Sequence, residues 1–213
     1  MNSKKIIKPV LIIISVIIGL SIVLFVGYMV LIAAAFGDFD KNYNTKDLIE
    51  NFNNKKQQIY LAKQYFNSIV PKYKKVSIEF DGKKISRFEI DPIDTGRGSD
   101  LTTNFLDWNL SPHKTDSVIA TIGWTKETID KLQQKLKDAD CISIENGEPA
   151  QIGFKRNGMG MYFFVVFDKP IPDTLKARYN DSCTYVYANK YLVLEYGGGA
   201  VGNQCFFNKS INR

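Results

Sequence analysis

The sequence predicts an α+β protein: an N-terminal transmembrane helix, then a single domain with a mostly antiparallel sheet and two main helices. Three observations predict it. Residues 10–36 hold no charged side chain. Two later stretches repeat apolar residues at helical spacing. Asp81-Gly82 and Asn157-Gly158 fall between β-prone runs, where they read as hairpin turns. Separate helical and strand-rich stretches point to α+β rather than to alternating βαβ units.

The uncharged segment comes first in the chain. As a helix it spans roughly 40 Å, enough to cross a hydrocarbon core of about 30 Å with tilt to spare. Only Ser15, Ser21 and Tyr28 interrupt its apolar character, so it lacks the polar face of a soluble core helix. Ala33, Ala34 and Ala35 supply an Ala-x-Ala-like signal cleavage site. The apolar stretch ahead of them is about 23 residues, however, against the ~7–15 of a secretory h-region, so retention as an anchor is expected. Lys4, Lys5 and Lys8 precede the span, and only Lys41 and Lys46 follow it closely. That excess places the N-terminus in the cytoplasm and the domain outside. The expected division is 1–9 cytoplasmic basic flank, 10–36 transmembrane helix, 37–44 connector and 45–213 extracytoplasmic α+β domain. Ser15, Gly19 and Gly27 share one face, but small residues in a lone span are the plainer reading than a helix-packing dimer.

In the domain, Asn44 or Thr45 caps a helix, with Asp47 in its first turn. Leu48, Phe52, Ile59, Ala62, Phe66 and Ile69 form its apolar stripe; Lys55, Lys56 and Lys63 lie off that stripe, and Pro71 ends the helix. Residues 76–80 alternate, Asp81-Gly82 turns, and the returning strand slips parity between Ile85 and Phe88, which calls for a bulge near Ser86. Residues 91–117 read as a long polar connection and 118–122 as a strand. Thr125 caps a second helix that buries Ile129, Leu132, Leu136 and Ala139, with Trp124 and Ile129 placed as a hydrophobic staple. From Cys141 on, three antiparallel strands follow one another. A single helical turn reaches Tyr179, and a last hairpin closes around Asn189-Lys190.

Half of the formal charge of +6 comes from Lys4, Lys5 and Lys8. The rest of the chain is near neutral, which excludes a dedicated nucleic-acid binder. Asp94-Thr95-Gly96 has the letters of the aspartic-protease triplet, but that chemistry needs two paired carboxylates and the chain has one such triplet. Gly197, Gly199 and Gly202 match a dinucleotide fingerprint without the following helix and acid, so they read as a bend. His113 is the only histidine, which excludes multi-His zinc sites. In the polar stretch SPHKTDS it is the one weak catalytic candidate, and a solvated histidine is the plainer reading. No cofactor or metal is expected. The basic pairs Lys74-Lys75, Lys83-Lys84 and Lys155-Arg156 read as solvated faces. Tyr185, Tyr187, Tyr191 and Tyr196 crowd the last hairpin, as cross-strand packing or as a partner surface.

Three cysteines make an odd count for an oxidising compartment. The Gly-rich return brings Cys205 toward Cys183 at the start of the last hairpin, so Cys183–Cys205 is the expected disulfide. Cys141–Cys183 ranks second, and Cys141 reads as a small buried apolar residue. The expected function is a single-pass, membrane-anchored, non-enzymatic binding or interaction module of the cell envelope. The alternatives are an envelope hydrolase using His113 with the 91–117 loop, and a structural subunit of a membrane complex. Expected partners are the lipid bilayer, through residues 10–36, and an unknown protein or envelope component. No nucleic acid is expected, and a homodimer is not favoured.

Overall fold

The first element is a helix, α1, Lys4–Ala35, uncharged from residue 10 onward. Within it, Ile13–Ala34 is long and apolar enough to span a membrane. The structure is a computed structural model and describes residues 4–35, 40–92, 105–181, 183–198 and 202–206. The chain divides into two units. One holds residues up to Lys41 with Asn157–Met159; the other holds Asn42–Arg156 and Gly160–Arg213.

The second unit opens on α2, Thr45–Ile69, where Asn44 and Asp47 form a reciprocal capping box. The Asn44 side chain accepts from the Asp47 backbone N–H at 3.0 Å, so two orphan donors of the first turn are satisfied. Strand β1 (Lys74–Asp81) and β2 (Lys84–Pro92) pair around Gly82, whose φ of +56° favours glycine. Glu79 faces Arg87 and Phe80 faces Ile85, so Ser86 is the extra residue of a bulge. Its hydroxyl donates to the Glu79 carbonyl at 3.2 Å. The bulge near Ser86 is therefore present.

The next stretch departs from expectation. Within 91–117, Phe105–Trp108 forms β3 on the outer side of β2. Residues expected to be loop and strand form α3, Pro112–Thr121. Pro112 stands in the first turn, where its missing N–H costs nothing. Val118, Ile119 and Ile122 then bury one helical side. Among the described residues, α3 thus joins the two main helices expected of the domain. The third is α4, Lys126–Asp138, capped by Thr125 with Thr128.

Strands β4 (Ser143–Glu145), β5 (Ala150–Asn157) and β6 (Gly160–Val166) follow. After the single-turn α5 (Asp173–Lys176) come β7 (Tyr185–Asn189) and β8 (Leu192–Gly197). All eight form one sheet, ordered β3-β2-β1-β4-β5-β6-β8-β7. Every described register is antiparallel.

Alternation divides the sheet's two faces. Ile78, Phe88, Ile144, Ile152, Phe164 and Leu194 share one core with α2, α3 and α4. Trp124 seals its centre: its ring lies 5.8 Å from Phe66 and 6.0 Å from Phe88, and its N–H donates to the Ile69 carbonyl. On the other face, Val165, Phe167, Ile171 and Val193 make a smaller cluster with Leu175, Tyr179, Tyr185 and Tyr187. Tyr196 stacks on Tyr162 inside the main core, with ring centres 4.3 Å apart. Burial pushes its hydroxyl pKa up to about 12. Three of the four hairpin tyrosines are therefore packing residues.

Gly153 on β5 lies against Ser143 and Met161, where an added Cβ would stand 2.0 Å from Ser143 Oγ and 2.2 Å from Met161 Sδ. Gly153→Ala is expected to lower stability by about 2 kcal/mol through overpacking. A thermal melt checks this, and an unchanged midpoint refutes it.

Cys183 and Cys205 are joined in a disulfide, with α-carbons 4.2 Å apart. Cys141 is a buried free thiol. Asp94-Thr95-Gly96 and Gly199 lie outside the described residues.

Candidate functional site

The bulged hairpin, the segment after β3 and the helices α3 and α4 enclose a cleft. Gln133 on α4 donates to the Gly82 carbonyl at 2.7 Å and ties the β1–β2 turn to that helix. Asn109, after β3, donates its N–H to the Ser86 carbonyl at 2.9 Å, so the bulge also fixes the chain that enters α3. Between these walls lies a cavity of about 580 Å³. Its apolar lining is Ile85, Leu110, Ile119 and Ile129, all buried. Its polar lining includes Lys83 and Lys84 from the turn, Asp116 from α3, and Lys126 and Asp130 from α4. None of these five is in an ion pair with another described residue.

The same segment carries two hydroxyls. Thr115 Oγ1 donates to the Ser111 carbonyl at 3.0 Å. Ser111 is the N-cap of α3, yet its side chain makes no capping bond. Lys114, on the same helix, is committed elsewhere: it pairs with Asp107 and holds that carboxyl below its usual range. The arrangement is a concave apolar surface with a fringe of uncommitted charge, the usual make-up of a small-molecule site.

Compared with known proteins, the chain matches no family model, no curated protein and no solved structure. The cleft is therefore judged on its own chemistry. His113 stands in the first turn of α3, two residues from Ser111 of the cleft wall, and not in a loop. Its side chain lies outside the described part, as do Asp94 and Asp100, so no catalytic pair with His113 is described. Cys141 offers no nucleophile, because burial pushes its thiol far above the ordinary range. No group of three or more metal-ligating side chains occurs among the described residues.

Two charged clusters were not anticipated. Lys63, placed off the apolar stripe by the sequence reading, is only 1% exposed. Its ammonium has three acceptors: Glu148 Oε2 at 2.6 Å, the Val166 carbonyl at 2.9 Å and Asp168 Oδ1 at 3.0 Å. Three acceptors saturate three N–H donors, which makes this a structural tie and not a free nucleophile. Tyr60, one turn before it, donates to the Phe167 carbonyl, and burial followed by Asp168 raises its pKa. The second cluster is a fork from Arg156 to both carboxylate oxygens of Glu79, at 2.5 and 2.6 Å. The signal for Lys63 was its spacing: it follows Ile59 by four residues and precedes Phe66 by three, on the buried side of α2.

Proposed function

We propose that this chain is a single-pass, membrane-anchored binding protein whose domain lies outside the cytoplasm and takes its ligand in the cleft between the β1–β2 turn, α3 and α4. The observation that carries the reading is the apolar floor of Ile85, Leu110, Ile119 and Ile129 inside a fringe of unpaired charge. Such a floor gives an apolar ligand a concave surface to pack against, with charged groups at its edge. The span Ile13–Ala34 supports anchoring. Lys4, Lys5 and Lys8 before it support an N-terminus in the cytoplasm. The disulfide supports an oxidising compartment for the domain. The envelope-hydrolase reading rests on one observation, the position of His113 two residues from the cleft wall.

The test is native mass spectrometry of the full chain, released from its own membrane into lipid nanodiscs. The wild type should carry a small-molecule adduct. Thr115→Trp, which fills the cleft, should lose it, and His113→Ala should retain it. An adduct absent from the wild type, or unchanged by Thr115→Trp, overturns the binding reading. An adduct that accumulates only in His113→Ala, as an unturned-over substrate would, favours the hydrolase.

A further inference from the structure

We propose that a second hollow, across α3 from the cleft, binds one small neutral apolar molecule of the size of a benzene ring. This goes beyond the binding reading above and does not depend on it. The hollow holds about 150 Å³ and lies between α3 and the β3 edge of the sheet. Ile90 on β2 and Phe105 on β3 stand opposite each other in the ladder and form its floor. Val118 and Ile122, one turn apart at the end of α3, form its roof. Thr115, Asp116 and Ile119 of the same helix line the cleft instead, so α3 separates two spaces. The roof residues and Thr121 are all branched at Cβ, with stiff χ1 angles, and adapt poorly to the space below them. Protein interiors leave few voids larger than a water molecule. Wall atoms around such a void lack packing partners, and a guest of matching size restores them.

The walls decide the class of guest. Ile90, Val118 and Ile122 are buried and carry no polar side-chain atom. Ile90 lies between two strands, β1 and β3, that take up its backbone groups. Phe105 meets Phe88 edge to face, with ring centres 6.3 Å apart, and a ring in the hollow can meet Phe105 in the same way. Thr121 is exposed at the rim, and its hydroxyl is spent as a donor to the Val118 carbonyl at 2.6 Å. Lys74, half-buried, is the one charged side chain of the described lining. A lysine so placed covers apolar surface with its stem and keeps its ammonium wet. A held water needs about two to four polar partners, which these walls do not offer. Apolar hollows of about this size stay dry and take up benzene or xenon. A carboxylate guest would have only the rim lysine to meet it, and an ammonium guest would find no carboxylate in the described lining.

Other parts of the molecule carry less. The charges around the cleft are of both signs and commit it to no head group. The Lys63 ammonium is saturated by its three acceptors. The recess along α2 near Asn53 and Gln57 is polar throughout its lining except for Tyr60. The exposed Leu106 and Trp108 on β3 have nothing that specifies an occupant.

The experiment uses the full chain in nanodiscs with isotope-labelled isoleucine and valine methyl groups. Ile90, Ile122 and Val118 report occupancy of the hollow, and Ile85 and Ile129 report the cleft. The probes are benzene, benzoate and benzylamine, with free concentrations read in the aqueous phase. Benzene should shift the Ile90, Ile122 and Val118 signals saturably, with half-saturation about tenfold below that of either charged probe. Val118→Phe places a ring in the hollow, and Thr121→Phe closes it from the exposed rim. Each change should abolish the benzene shift at Ile90 and Ile122. A shift that survives both changes overturns the site. Tighter binding of benzoate or benzylamine than of benzene overturns the neutral class. A benzene shift confined to Ile85 and Ile129 places the probe in the cleft and overturns this inference while leaving the binding reading standing. So does the lack of any saturable shift at Ile90, Ile122 and Val118.

Discussion

Replacing both carboxylates around Lys63, as Glu148→Gln with Asp168→Asn, should destabilise the domain by roughly 3–5 kcal/mol, while Lys63→Met should cost far less. The asymmetry follows from burial. Lys63 is 1% exposed, but Glu148 and Asp168 are 42% and 55% exposed. If the lysine is removed, both carboxylates turn to water and only the Val166 carbonyl loses a buried donor. If the carboxylates are removed, a cation stays in the interior with no counter-charge. Amides of the same shape still accept hydrogen bonds, so the loss is electrostatic.

Denaturant titration of the full chain in micelles reads the difference between the two changes. Equal costs for the double variant and for Lys63→Met overturn the electrostatic account, and so does Lys63→Met proving the more damaging change.

These three residues also mark where sequence reasoning stopped. The helix α2 was legible because its signals are local: an Asn44–Asp47 box, a stripe from Leu48 to Phe66, and Pro71 beyond the end. The bulge at Ser86 was legible because parity in a strand is strict, and a slip from Ile85 to Phe88 admits one repair. Lys63 was not, because its partners come from 85 and 105 residues further along the chain and from loops. Periodicity identifies a face; it does not identify what a distant loop brings to that face.

Helix α3 failed for a different reason. Residues 118–122 read VIATI, four β-branched residues among five, and taken alone they favour a strand. The start signal was present in Ser111-Pro112, but Ser111 makes no capping bond and so gives a weak boundary. Burial of Val118, Ile119 and Ile122 against the shared core outweighed local preference. The cleft could not be foreseen once that helix was missed, since α3 supplies Asp116 and Ile119 to it.

Reduction of the Cys183–Cys205 bond should lower stability by about 3.4 kcal/mol and the melting midpoint by roughly 7–14 °C. The bridge closes a loop of 22 residues, and the chain-entropy model assigns about that value to releasing it in the unfolded ensemble. The shift follows at about 2–4 °C per kcal/mol for a domain of this size. The folded state should change little. Phe206 donates its N–H to the Cys183 carbonyl at 3.1 Å, and its ring packs 5.7 Å from Tyr196 and 6.1 Å from Tyr162. Those contacts hold the C-terminal return in place without the covalent bond. The double change Cys183→Ser with Cys205→Ser should therefore melt like the reduced wild type and give the same near-ultraviolet circular dichroism below the transition. Cys141 supplies the internal reference, because a buried thiol with a strongly raised pKa reacts slowly until the domain unfolds. The same bond reports the side of the membrane. In intact cells, a membrane-impermeant reductant followed by an impermeant maleimide should label two cysteines per chain and spare the third. Labelling that appears only after lysis places the domain inside and overturns the proposed topology. A melting midpoint that does not move on reduction overturns the stabilising role of the bridge.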